Sequence, residues 1–227
     1  CSTAYSQMWT HYGSVAALRS KYGIDGKIAF VSFSAGHGFM VPLLNSDKDR
    51  ADVSAVVLLD STFGYVPPGY VKAAHDAAAS KMLLLSVTSD KGTKSPSDNG
   101  DYVWRQVLKA SGLSLSSTSA RSPMPSPESV ERVGDLFYYR YRHAQIPHWE
   151  LGKILPQVLE AHVLPYLRGE RERSEVGGWM YWALGILTLA AGGTRNPFNR
   201  QTLESGEYNR LVMDGRRVFT EAVARMS

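Results

Sequence analysis

The stretch Lys27-Ile28-Ala29-Phe30-Val31-Ser32-Phe33-Ser34-Ala35-Gly36-His37-Gly38 decides how the rest of the chain is read. Ile28 to Phe33 is a short apolar, partly β-branched run preceded by Gly26, the pattern of a strand buried on both faces of a parallel sheet. It stops at small residues, and Gly36 to Leu44 has the composition to start a helix. Ser32-Phe33-Ser34-Ala35-Gly36 keeps the G-x-S-x-G spacing, with Ser in place of the first Gly. A strand, a sharp turn and a helix around one Ser hold its hydroxyl clear of the sheet. Small residues two before and two after let strand and helix approach across the strained backbone of that turn. The N–H of Ala35, at the helix start, is then placed to bind a developing oxyanion. The same five residues also suit an ordinary strand-to-helix turn or a phosphate loop, so the surrounding chain has to decide.

The 227 residues suffice for one good-sized domain, or a domain and an appendage, and 44% hydrophobic with 20% charged content is that of a globular chain. The net charge of +4 comes from scattered basic residues with no run and no interleaved aromatic stripe, which argues against nucleic acid. The single cysteine allows no internal disulfide. It is residue 1, followed by Ser2, so a processed or truncated chain is expected; a lipoprotein-type Cys and an N-terminal nucleophile are minor readings, disfavoured by a helical pattern that begins almost at once and leaves no tether.

Tyr5, Met8, Trp9, Tyr12, Val15, Ala16 and Leu18 follow helical spacing, and Gly23 ends the run. Val53 to Leu59 is a second buried strand, ending at Asp60. A helix from about Tyr70 to Ser80 leads to a third strand, Met82 to Val87, followed by Thr88-Ser89-Asp90. Asp101 to Ala110 reads as a helix. Ser111 to Ser129 holds eight Ser and three Pro and is expected to be a long exposed loop or lid. Leu136 to Arg142 is a fourth, aromatic-rich strand. Leu151, Ile154, Leu155, Val158, Leu159, Val163 and Leu167 mark an amphipathic helix. Strands alternating with helices predict crossover units and a mostly parallel sheet flanked by helices, an α/β fold over 1–168. After the charged linker Gly169 to Glu175, residues 169–227 are expected to form a helical appendage. Its uncharged stretch Val176 to Thr194 has too short an apolar core for a bilayer span, so membrane insertion is not expected. Its stripe runs from Tyr208 to Met226.

The order of the reactive residues matters more than any one motif. Ser34 sits on a strand-to-helix turn, Asp60 and Asp90 end the next two strands, and His143 and His148 follow the fourth. Ser, acid, His is the chain order of the α/β-hydrolase triad, and from Gly26 to about Arg168 the chain resembles the second half of the α/β-hydrolase superfamily. The resemblance implies Ser34 as nucleophile, Ala35 N–H as half of an oxyanion hole, and His148, just before the docking helix, as general base, with His143 as the alternative. For the acid it leaves two residues. Val87-Thr-Ser-Asp90 looks like the Gly-Thr-x-Asp of many such hydrolases, although Lys91 and Lys94 suggest a solvated loop. Asp60 ends an apolar strand beside Phe63 and Tyr65, a drier setting in which a carboxylate best holds an imidazolium.

The expected activity is therefore that of a serine hydrolase cleaving an ester or similar acyl bond of a small or polymeric substrate, with no cofactor. No metal is expected either, because neither H-E-x-x-H nor paired Cys is present. The front strands of that fold have no counterpart here, so a preceding segment or a second chain is expected to complete it. The rival is a non-catalytic binding or scaffold module on the same fold. A phosphate-binding loop at Ser34-Ala35-Gly36-His37-Gly38 is a third reading, weakened by the absence of the Walker lysine and the dinucleotide Gly pattern.

Overall fold

A computed structural model describes residues 9–10, 12–118 and 125–169. Its centre is a six-stranded sheet. Strands β1 (Ala29–Phe33), β2 (Ala55–Leu59), β3 (Leu83–Asp90) and β6 (Leu136–Arg142) lie side by side in parallel; β5 (Ser129–Val133) and β4 (Ser116–Ser117) follow antiparallel, in the order β1-β2-β3-β6-β5-β4. The register pairs Phe33 with Leu59 and Leu59 with Val87, so β1 and β2 end level against β3. Ser34 and Asp60 thus leave the same end of the sheet.

The uninterrupted apolar strands are explained by what covers them. On one face Phe30, Val56, Leu58, Leu84 and Tyr138 pack under α1 (Val15–Tyr22), α2 (His37–Asn45), α4 (Pro68–Ala78) and α5 (Gly100–Ser111). On the other, Val31, Val57, Leu59, Leu85, Val87 and Tyr139 pack against Leu151, Ile154, Val158, Val163 and Leu167 of the last helical run. Each such side chain contributes about 1.5–3 kcal/mol by leaving water, and a strand covered twice reads as a nearly continuous apolar run. The short α3 (Asp47–Ala51) is tied to α1: Asp49 accepts the first N–H of α1, from Val15, at 2.8 Å.

Several expectations shift in detail. The first helix is described as α1, capped by Ser14 and ended by Gly23; Gly13, at φ +76°, separates it from the helical Trp9 and Thr10. The expected exposed loop over 111–129 is corrected in part. Ser116–Ser117 pair with β5, and Leu113 and Leu115 pack against the core. The remainder, 119–124, falls outside the described residues. The β5–β6 hairpin closes through Gly134 at φ +55°; a Cβ there would lie 2.3 Å from the Ala78 carbonyl oxygen, so the tight turn fits only glycine under the end of α4. The single amphipathic helix expected after His148 is a 3-10 stretch (His148–Ile154), an α-helical turn (Leu155–Val158), a π-helical turn (Leu159–Val163) and a final α-helical turn (Leu164–Arg168). Pro165 cannot donate to the Ala161 carbonyl, which loosens that turn. The linker and helical appendage expected beyond Gly169 lie outside the described residues.

Candidate active site

Ser34 follows β1 with φ +52°, a left-handed conformation that costs a β-substituted residue energy and is kept only where the surroundings enforce it. The chain enters extended at Phe33 and leaves through a 3-10 turn (Ser34–Gly36) into α2. The small residues expected at 32 and 36 meet: a Cβ on Gly36 would lie 2.7 Å from Ser32 Oγ. Beneath the turn, the Ser61 hydroxyl donates to the Ser34 carbonyl at 3.2 Å, Ser32 Oγ is hydrogen-bonded to Ser61 Oγ, and Tyr70 donates to the Ser61 carbonyl at 3.1 Å. This buried relay fixes the Ser34 backbone from below and leaves its hydroxyl free to point outward.

His148 meets that hydroxyl. Its Nε2 lies 2.8 Å from Ser34 Oγ, and its Nδ1 lies 2.7 Å from Asp60 Oδ2. Pro147 sets an extended backbone just before the 3-10 stretch, bringing the imidazole back across the sheet end from β6 to β1. Phe33 stacks on the ring at a centroid distance of 5.0 Å, and Phe63 meets it edge-on at 5.8 Å. These rings restrict its rotation and exclude water from its faces. Asp60, whose side chain is 3% exposed, follows β2 at φ +43°, its N–H bonded to the Val87 carbonyl at 2.7 Å. The carboxylate can only accept, so the bond to Asp60 favours the tautomer with its hydrogen on Nδ1, in which Nε2 faces Ser34 as an acceptor.

The other candidates are engaged differently. Asp90 accepts from Asn99 Nδ2 at 2.9 Å, from the Gly92 N–H at 2.7 Å and from Arg140 Nε at 3.1 Å, with a second bond from Arg140 Nη2. Burial alone would raise its pKa; these donors outweigh burial and hold it below the ordinary value. Its setting is therefore a saturated ion pair with only 11% of the side chain exposed, and Lys91 turns to Asp98 at 2.5 Å. His143 donates from Nδ1 to Ser89 Oγ at 3.0 Å, because the Ser89 hydrogen is already given to the Ile146 carbonyl at 2.8 Å. Ala35 stands in the first turn of the 3-10 segment, where backbone N–H groups have no intrahelical acceptor. The structure thus brings Ser34, His148 and Asp60 together.

Four contributors were not singled out from the sequence. Ser61, Tyr70 and Phe33 support the turn and the imidazole, and their polarity or size alone gives no sign of it. His37 packs behind Ser34, its Nδ1 3.4 Å from the Ser34 carbonyl oxygen; burial lowers its pKa against that hydrogen bond, which favours a neutral ring. Among the described residues no group of three or more His, Cys, Asp or Glu is placed to hold a metal ion, and no helix is long and apolar enough to cross a membrane. No family model, curated protein or solved structure matches the chain.

Proposed function

We propose that the chain is a serine hydrolase of the α/β-hydrolase type, cleaving an ester or similar acyl bond. The supporting observation is the continuous hydrogen-bonded chain from Ser34 Oγ through His148 to a buried Asp60, on a serine held at positive φ. In this reading His148 Nε2 takes the Ser34 proton as Oγ attacks the acyl carbon, and the oxyanion is held by the Ala35 N–H. Asp60 stabilises the imidazolium. Collapse breaks the bond to the alcohol, which leaves with the proton from His148. A water then gives a proton to His148 and attacks the acyl-serine, releasing the acid and restoring Ser34. The chemistry calls for no cofactor.

The approach to Ser34 supports an apolar substrate, small or polymeric. Phe33 and Phe63 flank His148, and Trp149 and Tyr65, next to the site in sequence, are 69% and 55% exposed. The rings of Phe33 and Phe63 beside the imidazole favour apolar groups there.

Labelling with a fluorophosphonate probe tests the reading. The wild-type chain is expected to react at Ser34 alone, and Ser34→Ala to lose the label. Absence of label on the folded wild-type chain would favour a non-catalytic module instead. One observation gives that second reading weight. Among the described residues β1, which carries the nucleophile, pairs only with β2. Among the described residues nothing pairs with its other edge, where a further segment or a second chain would add a strand.

A further inference from the structure

We propose that Gly100 is a positioning residue for Asp60: the missing side chain at the first residue of α5 is what allows the carboxylate to turn Oδ2 onto His148. The catalytic consequence rests on the serine-hydrolase reading, whereas the placement stands on geometry.

Asp60 is buried, and while Oδ2 is hydrogen-bonded to His148, Oδ1 has no hydrogen-bond partner among the described residues. A buried carboxylate oxygen without a donor is not held in place by its own bonds, so its neighbours must hold it. The neighbour is Gly100. A Cβ there would lie 2.2 Å from Asp60 Oδ1, 3.2 Å from its Cγ and 3.3 Å from the Thr62 carbonyl oxygen. The carboxylate sits over the start of a 12-residue helix, whose partial positive charge favours an anion.

Neither backbone is free to yield. Thr62 Oγ1 donates to the Gly100 carbonyl at 2.9 Å. Asn99, the residue before it, caps α5 through the Asp101 N–H at 3.2 Å and donates to Asp90 Oδ1 at 2.9 Å and to the Thr93 carbonyl at 2.8 Å. Asp60 is fixed in turn by its bond to the Val87 carbonyl. The rotatable carboxylate is what remains to move, and moving Oδ1 away from a new methyl group swings Oδ2 off His148. Alanine is otherwise the better residue in the first turn of a helix, so glycine here runs against local preference. Its explanation is the contact with Asp60.

The test is Gly100→Ala in the full chain, alone and combined with Asp60→Ala, with kcat and KM on an activated aryl ester and the downfield proton resonance of His148 Nδ1–H. Gly100→Ala is expected to remain folded by thermal unfolding and to lose about 10- to 100-fold in kcat with little change in KM, the size expected of a small misplacement of catalytic machinery. The downfield resonance should shift or vanish. In the Asp60→Ala background, where no carboxylate remains to be displaced, Gly100→Ala should cost nothing further. Wild-type kcat with an unchanged resonance would overturn the proposal, as would an equal loss in both backgrounds. Should the wild-type chain prove unreactive to the fluorophosphonate, the hydrolase reading fails by itself. The resonance then decides the positioning: an altered signal upholds it and an unaltered one overturns it.

Discussion

Asp60 and Asp90 stand at the ends of adjacent parallel strands, at the same end of the sheet and on either side of the start of α5, and they are used in opposite ways. Asp90 is saturated: Arg140, Asn99 and the Gly92 N–H occupy both oxygens with fixed donors. Among the described residues the Asp60 carboxylate has one hydrogen-bond partner, an imidazole, a group that can carry a charge. A carboxylate tied to permanent donors contributes to stability but has nothing left to give a reaction. One that faces only an imidazole keeps its field for the moment the imidazole becomes a cation, and the surrounding dry packing strengthens that field.

Exchanging the two acids for their amides separates these uses, and the largest expected effect is on Asp60. Asp60→Asn is predicted to lower kcat by about 1,000- to 10,000-fold, because an amide no longer fixes the His148 tautomer or stabilises the imidazolium. Asp90→Asn should leave kcat within about 3-fold, since it meets neither reacting atom. Steady-state kinetics on one activated ester reads both. Comparable losses in the two variants would erase the distinction.

The second effect is on stability and runs the other way. Asp90 has a folded-state pKa below its unfolded value, so its contribution is present in full above the unfolded pKa, about 3.9, and is lost as pH falls through the folded one. Asp90→Asn is therefore predicted to cost about 1–3 kcal/mol at pH 7, and the gap to wild type should close as the pH is taken down toward 3. Denaturant titrations at the two pH values check it. A gap that stays constant or widens in acid would show that Arg140 is not what Asp90 contributes.

Much of this was legible in the sequence, and what was not has a common cause. The four parallel strands, the sharp turn at Ser34 and His148 before the last helical run follow from local patterns: apolar runs, small residues and turn chemistry. The choice between Asp60 and Asp90 does not, because the groups that separate them, His148 and Arg140, lie 88 and 50 residues away in the chain. Lys91 and Lys94 read as signs of solvent, yet the residue that matters to Asp90 is Arg140, brought in by parallel pairing of β3 with β6. The hairpin of β4 and β5 was hidden for another reason. A two-residue strand and the short Val130-Glu131-Arg132-Val133 alternation carry too little periodicity to stand out from a Ser-rich stretch. Gly100 gives no local sign at all, since its meaning comes from what touches it.

The same reasoning applies on a smaller scale beneath Ser34, where Gly36 stands to Ser32 as Gly100 stands to Asp60. A Cβ on Gly36 would press on Ser32 Oγ at 2.7 Å, while Ser32 Cβ, at 3.6 Å, is at ordinary contact. Ser32 Oγ is bonded to the Ser61 hydroxyl that holds the strained Ser34 carbonyl. Gly36→Ala is therefore expected to loosen that hold and raise the barrier by about 1 kcal/mol, with Ser34 still reactive to the probe. Because the pressure falls on one oxygen, removing that oxygen should remove the effect: in a Ser32→Ala background, Gly36→Ala is predicted to change kcat by less than about 2-fold. The cycle is read by kcat in the four proteins. If the two substitutions simply add, the small residue at 36 serves the approach of strand and helix as a whole, and the relay from Tyr70 through Ser61 supports Ser34 without help from Ser32.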